Sequence, residues 1–177
     1  MNYFKLTIVG MYLGYFMPFI LQNIFQLKIG QEGVDYYAEV HTTFLNSMIH
    51  TIYMPFTIYG ILLFIPPVFR LDHDNAKKLQ YVLYIMYMTH YILIDSTIGL
   101  YIALYYSIPL YFARLTYNKI KCNYFINGLA IATCALLVQE VHGHWYSGDP
   151  LSRFEGIPNA IIYAMYYSVS HIINLII

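Results

Sequence analysis

The stretch QEVHGHW, which begins at Gln139, closes an almost wholly apolar run with a cluster of groups that can bind metal. Neutral imidazole is the commonest protein ligand for transition metals, and a neighbouring carboxylate can orient it or become a further ligand. Glu140 and His144 share one face of a regular helix, whereas His142 and His144 flank Gly143 and point to opposite faces. Either the helix therefore ends at Gly143, or only one of the two histidines faces inward.

Other histidines lie in or beside apolar segments, where an ionisable group is costly and usually faces a cavity or a partner. His50 follows Asn46 by about one helical turn, so the Asn46 amide could orient it. His41 lies nine residues before His50, on the opposite face of a continuous helix, so the two converge only if His41 precedes the helix. His90 is a further candidate, and the serine-flanked His171 a weaker one. The alternative for each is a hydrogen bond between helices.

The composition indicates whether these histidines lie in water or in a lipid bilayer. The chain has 177 residues, of which 59% are hydrophobic and only 10% charged, whereas soluble domains carry about 25% charged residues. Because apolar stretches near membrane-spanning length recur, we predict an all-α, polytopic integral membrane helical bundle in contact with the lipid bilayer. The zero net charge gives no reason to expect binding to nucleic acid.

The hydropathy pattern predicts about six membrane segments, of which one could be re-entrant or interfacial. They cover residues 6–25, 42–69, 79–94, 97–114, 124–144 and 158–177. Asp95 marks the tight turn between the third and the fourth. Pro55, Pro66 and Pro67 fall inside the second, where proline is tolerated if neighbouring groups satisfy the carbonyls that it frees.

The basic residues orient this bundle in the membrane. Two loops hold six of the nine lysines and arginines: Arg70, Lys77, Lys78, Arg114, Lys119 and Lys121. The positive-inside rule places both loops in the cytoplasm and puts the connections 28–41 and 145–157 on the opposite side. Most of the candidate histidines then converge on that opposite half, as a ring of ligands from separate helices requires. The candidate metal ligands are His41, His50, His90, His142 and His144.

Two stretches of the chain resemble the endoplasmic-reticulum 2-hydroxy fatty acid dioxygenase family. The segment YYAEVHTTFLNSMIHTIYMP is similar to its first signature, in His41, Asn46, His50 and Pro55; the family often has a second histidine where this chain has Thr42. Gln139 and Gly143-His144, with the later Phe154-Glu155 and Pro158–Ile161, look like its second signature, and ILIDSTIGLYIAL is similar to its middle segment. The resemblance covers residues 34–177 and leaves 1–33 as an extra N-terminal membrane segment and connection.

The resemblance implies an Fe(II)-dependent oxygenase that uses O2 to shorten 2-hydroxy fatty acids by one carbon with release of CO2. It implies that His41, His50 and His144 bind the iron, and that Asn46, Gln139 and Glu140 surround them. It also implies residence in the endoplasmic reticulum. Arg153, in the loop after the histidines, is a weaker candidate for contact with the substrate carboxylate.

Two alternatives compete with this interpretation. Membrane di-iron hydroxylases need several HxxxH and HxxHH clusters, which this chain with its seven histidines lacks. A non-catalytic membrane scaffold or lipid-binding protein would use the same histidines only for hydrogen bonds between helices. Metal content separates the oxygenase from such a scaffold, because a scaffold needs no metal.

Overall fold

The computed structural model describes residues 2–120, 122–150 and 157–176, and every regular element in these ranges is a helix. The long helices are α1 (Tyr3–Phe25), α3 (Phe44–Val68), α4 (His73–Ile94), α5 (Ser96–Lys119), α6 (Tyr124–Leu137) and α8 (Ile157–Ile176). Two are short, α2 (Gln31–Ala38) and α7 (His144–Ser147), and a π-helix (Val138–Gly143) joins α6 to α7. The predicted all-helical fold is confirmed. The helix α2 lies in what the sequence suggested was only a polar connection.

Four helical stretches are long and apolar enough to cross a membrane: α1, α3, α5 and the continuous Tyr124–Ser147. The prediction of six membrane segments is thus supported for four of them. The other two segments are also helices, but polar side chains dilute their hydropathy. In α4 these include Asp74, Lys77 and Lys78 near the start. Outward-facing apolar side chains such as Leu104, which is 72% exposed, suit a lipid-facing surface.

The prolines of α3 are accommodated by side chains from neighbouring helices. Proline lacks an N–H, so it leaves the carbonyl four residues earlier without its helical donor. Tyr105 donates to the Thr51 carbonyl, which Pro55 frees, at 3.0 Å. The carbonyls that Pro66 and Pro67 free belong to Leu62 and Leu63, and they accept from Gln80 Nε2 and Tyr117 Oη, both at 2.8 Å. The predicted condition for proline in this segment is met at all three positions.

The helices α3 and α6 approach each other through two glycines. A Cβ atom on Gly60 would lie 2.5 Å from the Gly128 carbonyl oxygen, and one on Gly128 would lie 2.7 Å from the Gly60 oxygen. Small residues allow this backbone contact, which supplies much of the packing between helices in a bilayer. The contact fixes α3, which carries Asn46 and His50, against the helix that leads into QEVHGHW.

The two ends of the bundle differ in chemistry. At one end, Lys77 near the start of α4 donates to Asn118 near the end of α5, at 3.1 Å, and Arg114 donates to Tyr3 at the start of α1. The two basic stretches therefore meet at this end, although Lys77, Lys78, Arg114 and Lys119 lie within the ends of α4 and α5 rather than in loops as predicted. The segments that carry His41, His50 and His144 meet at the other. Asp95 ends α4 there and caps α5 with bonds to two backbone N–H groups, as its position in the sequence predicted.

A candidate metal centre of three histidines

Three buried histidines from separate segments come together at the non-basic end of the bundle. His41 lies in the turn after α2, His50 lies in the second turn of α3, and His144 begins α7. Each is at most 4% exposed, and the ligand nitrogens that they offer all lie within 4.8 Å of one another. His41 precedes α3, as its nine-residue spacing from His50 required. A single ion can therefore reach all three imidazoles.

The ε nitrogens of His41 and His50 face each other across a short gap. His41 Nδ1 donates to the Tyr37 carbonyl at 2.9 Å, so its Nε2 carries a free lone pair. His50 Nε2 lies only 3.2 Å from that nitrogen. Two ring nitrogens this close share either a proton or a metal ion. Tetrahedral ligands about 2.0–2.1 Å from a zinc ion lie about 3.3 Å apart, so the spacing fits a metal.

His41 is held in the neutral form that a metal ligand needs. Burial, reinforced by the neighbouring His50, lowers the pKa of His41 to about 2. The Tyr37 ring stacks on the His41 ring, with 3.7 Å between their centroids. His171 Nε2 donates to the His41 carbonyl at 2.8 Å and ties α8 to this turn. His171 thus supports the backbone of a candidate ligand.

The π-helix and its last residue bring His144 to the other two histidines. A π-helix adds a residue to the turn and recurs at functional sites. Gly143, at its end, packs so closely on α3 that a Cβ there would lie 2.6 Å from Asn46 Oδ1 and 3.3 Å from His50 Nε2. The glycine of the GHW sequence is therefore required by the approach of this segment to α3. No local sequence pattern indicated the π-helix.

The two polar neighbours that the sequence predicted in QEVHGHW take different positions. A carboxylate oxygen of Glu140 lies 3.7 Å from His144 Nε2, and its side chain is 41% exposed. Glu140 is thus beside the cluster and open to solvent. The buried Gln139 donates instead to Thr57 Oγ1 at 2.8 Å and to the Ala135 carbonyl at 3.1 Å, and so links the π-helix to α3.

Asn46 and Asp149 form a buried polar network beside the histidines. Asn46 Nδ2 donates to Asp149 Oδ2 at 2.9 Å and to the Val40 carbonyl at 3.3 Å, and it lies 3.4 Å from His144 Nδ1. Burial alone would raise the pKa of Asp149, but hydrogen bonds from Thr42, Asn46 and Thr43 lower it to about 2. The carboxylate is therefore ionised at neutral pH. Sequence reasoning missed Asp149, because it follows a short loop rather than an apolar segment.

Several buried polar atoms at this end have no hydrogen-bond partner among the described residues. They include His144 Nε2, Asn46 Oδ1 and Gln139 Oε1. Buried polar groups are nearly always satisfied, so such a concentration is typical of a site that binds an ion, water or a ligand. The donor set and these unsatisfied atoms together fit a metal centre.

The structure does not bring the remaining predicted ligands into the cluster. His90 is fully buried, but its Nε2 shares a hydrogen bond of 2.8 Å with Tyr163 Oη, so it joins α4 to α8. His142 is exposed and stacks on Tyr146, because it lies on the other side of Gly143 from His144. Arg153, Phe154 and Glu155, named from the loop and the second signature, lie outside the described residues.

Comparison with known proteins adds no relative: no family model, curated protein or solved structure matches this chain.

Proposed function

We propose that the chain is an Fe(II)-dependent membrane dioxygenase that converts 2-hydroxy fatty acids into fatty acids one carbon shorter. The observation that carries the proposal is the buried cluster of His41, His50 and His144, whose ligand nitrogens lie within 4.8 Å of one another. The resemblance of the two histidine-bearing stretches to the 2-hydroxy fatty acid dioxygenases supplies the choice of metal and of substrate.

The three histidines would hold the metal, and Glu140 is close enough to His144 to orient it or to complete the ligand set. Iron with O2 would supply the oxidation, in which a 2-hydroxy acid and O2 give the shorter acid, CO2 and water. The chain's own residues orient the ligands: the Tyr37 carbonyl fixes the His41 ring, and Asn46 contacts His144. Gln139 holds the π-helix on α3. Asn46 and Gln139 would act through the ligands, and Glu140 lies beside His144 with its side chain 41% exposed, where a substrate could approach the metal.

A membrane enzyme suits an amphiphilic substrate. A fatty acid can stay in the bilayer along the apolar outer faces of the helices while its carboxylate reaches the end of the bundle where the histidines lie. Under the positive-inside rule the basic end is cytoplasmic, so this site would face the opposite side of the membrane. We further propose that all six long helices cross or enter the membrane, and that this membrane is the endoplasmic reticulum. In this arrangement Arg153, near Asp149 in the sequence, would pair with the substrate carboxylate.

The proposal is tested by activity of the protein purified anaerobically in detergent and loaded with Fe(II). We expect O2 uptake that depends on a 2-hydroxy fatty acid and forms the acid one carbon shorter, detected by mass spectrometry. His50→Ala should abolish it. His142→Ala is the matched control, because it removes an exposed imidazole outside the cluster. A folded, iron-loaded protein that turns over no 2-hydroxy acid of any chain length would refute the proposed reaction and favour a non-catalytic protein.

A further inference from the structure

We infer that Asp149 is a positioning residue that sets the separation of the histidine-bearing segments through its hydrogen bonds to the turn before α3. The inference rests on the proposed function in one respect, namely that the three histidines hold a metal. It assigns a role to a carboxylate outside QEVHGHW that is not among the residues of either sequence signature.

The carboxylate of Asp149 is buried and fully engaged by α3 and the turn before it. Its Oδ1 accepts from the Thr42 hydroxyl. Its Oδ2 accepts from the Thr43 hydroxyl at 3.1 Å, from the Thr43 backbone N–H at 3.4 Å, and from Asn46 Nδ2 at 2.9 Å. Asp149 itself is only 9% exposed. Hydrogen bonds to an ionised acceptor are roughly twice as strong as neutral ones, so this contact is a firm junction.

The junction joins the two parts of the chain that carry the ligands. On one side, Thr42 follows His41 directly, and Asn46 precedes His50 by one turn of α3. On the other, Asp149 follows His144 by five residues, after a left-handed Gly148 with φ of 74°. Asn46 connects both sides, because the same amide nitrogen that bonds Asp149 lies 3.4 Å from His144 Nδ1. A change at Asp149 should therefore move His144 relative to His41 and His50.

The charge of Asp149 also suits a metal nearby. Within the described ranges no lysine or arginine forms an ion pair with this carboxylate, and the donors that bond it there, on Thr42, Thr43 and Asn46, are all neutral. A buried anion that is bonded to neutral donors gains from a cation close by. Partners beyond the direct ligands of metal sites typically change metal affinity by about 10- to 100-fold when they are mutated.

The test is a titration of the full-length, metal-free protein in detergent with Co(II), followed by its visible absorption. Asp149→Asn keeps the size of the side chain but presents an N–H₂ group to donors, so we expect Co(II) to bind about 10- to 100-fold more weakly. Asp35→Asn is the matched control, since Asp35 is exposed on α2 and its carboxylate bonds only Gln31 among the hydrogen bonds of the described residues. Asp35→Asn should bind Co(II) like the wild type.

A second pair of variants covers the case in which Asp149→Asn does not fold. Thr42→Val removes the hydroxyl that bonds Asp149, whereas Thr42→Ser keeps it. We expect weaker Co(II) binding by Thr42→Val and recovery in Thr42→Ser, at equal thermal stability of the two metal-free proteins. Equal Co(II) affinity in both Thr42 variants, or in folded Asp149→Asn and wild type, would overturn the role of Asp149 alone. A wild type that binds no Co(II) would instead overturn the metal site itself.

Discussion

Replacement of Gly143 by alanine places one methyl group at the contact between the π-helix and the histidine cluster. The new Cβ would lie 2.6 Å from Asn46 Oδ1, which is about 0.8 Å closer than the 3.4 Å at which ordinary contact begins. It would also lie 3.3 Å from His50 Nε2. Asn46 cannot easily turn away, because its amide is bonded to Val40 and to Asp149. The π-helix must therefore move away from α3 and take His144 with it.

The size of this displacement determines the expected effect. Metal–ligand distances in a good site hold to about ±0.2 Å, so a shift of several tenths of an ångström should disrupt the site. We expect metal affinity to fall by about 10- to 100-fold, equivalent to about 1.4–2.8 kcal/mol. Overpacking should lower the free energy of unfolding by about 1–3 kcal/mol. At an uncrowded helical position the same substitution would stabilise the protein by about 1 kcal/mol. A loss of stability rather than a gain would therefore show that the contact at Gly143 is crowded.

Co(II) titration and thermal unfolding of the purified variant provide the assay. Gly10→Ala is the matched control, because a Cβ there would lie 2.7 Å from Ile85 Cγ2, in the contact between α1 and α4. It should cost a similar amount of stability and leave metal affinity unchanged. Wild-type affinity in a folded Gly143→Ala protein, or an equal loss of affinity in Gly10→Ala, would refute the reasoning.

Three further predictions concern the packing and the composition of the site. Gln80→Leu and Tyr117→Phe each leave a carbonyl that proline frees without a hydrogen-bond donor. Each should lower the free energy of unfolding by about 1–3 kcal/mol, measured by thermal unfolding. Gly128→Ala should separate α3 from α6, because its Cβ would meet backbone atoms, and should lower the melting temperature more than Gly143→Ala does. His90→Gln should leave metal stoichiometry at the wild-type value, measured by elemental analysis, because His90 bonds Tyr163 away from the cluster. A loss of metal in His90→Gln would show that the ligand set is incomplete.

Much of the fold could be predicted because long apolar helices can be recognised from their composition and length. The sequence predicts the turn at Asp95 between two helices, and it predicts that the prolines of α3 need hydrogen-bond donors from neighbouring groups. The donors themselves, Gln80 and Tyr117, could not be identified, because they come from other helices and depend on how those helices are rotated. The helix α2 was missed, since eight mostly polar residues carry little periodic signal.

The candidate site was predicted unevenly for a similar reason. The sequence predicts His41, His50 and His144 as ligands, and the structure brings these three together, whereas two of the five predicted ligands, His90 and His142, lie apart from them. One-dimensional spacing could show that His142 and His144 diverge but not which of them faces inward. The π-helix and the contact at Gly143 decide that, and both depend on α3 packing against the segment.

The measurement that tests the central claim most directly is the metal content of protein purified anaerobically, with His50→Ala beside it. We predict one transition-metal ion per wild-type chain and its loss in His50→Ala, while the variant keeps its helical circular dichroism spectrum. A well-folded wild type that contains no metal and takes up none from added Fe(II) or Co(II) would contradict the claim. His41, His50 and His144 would then be buried histidines that only hold helices together.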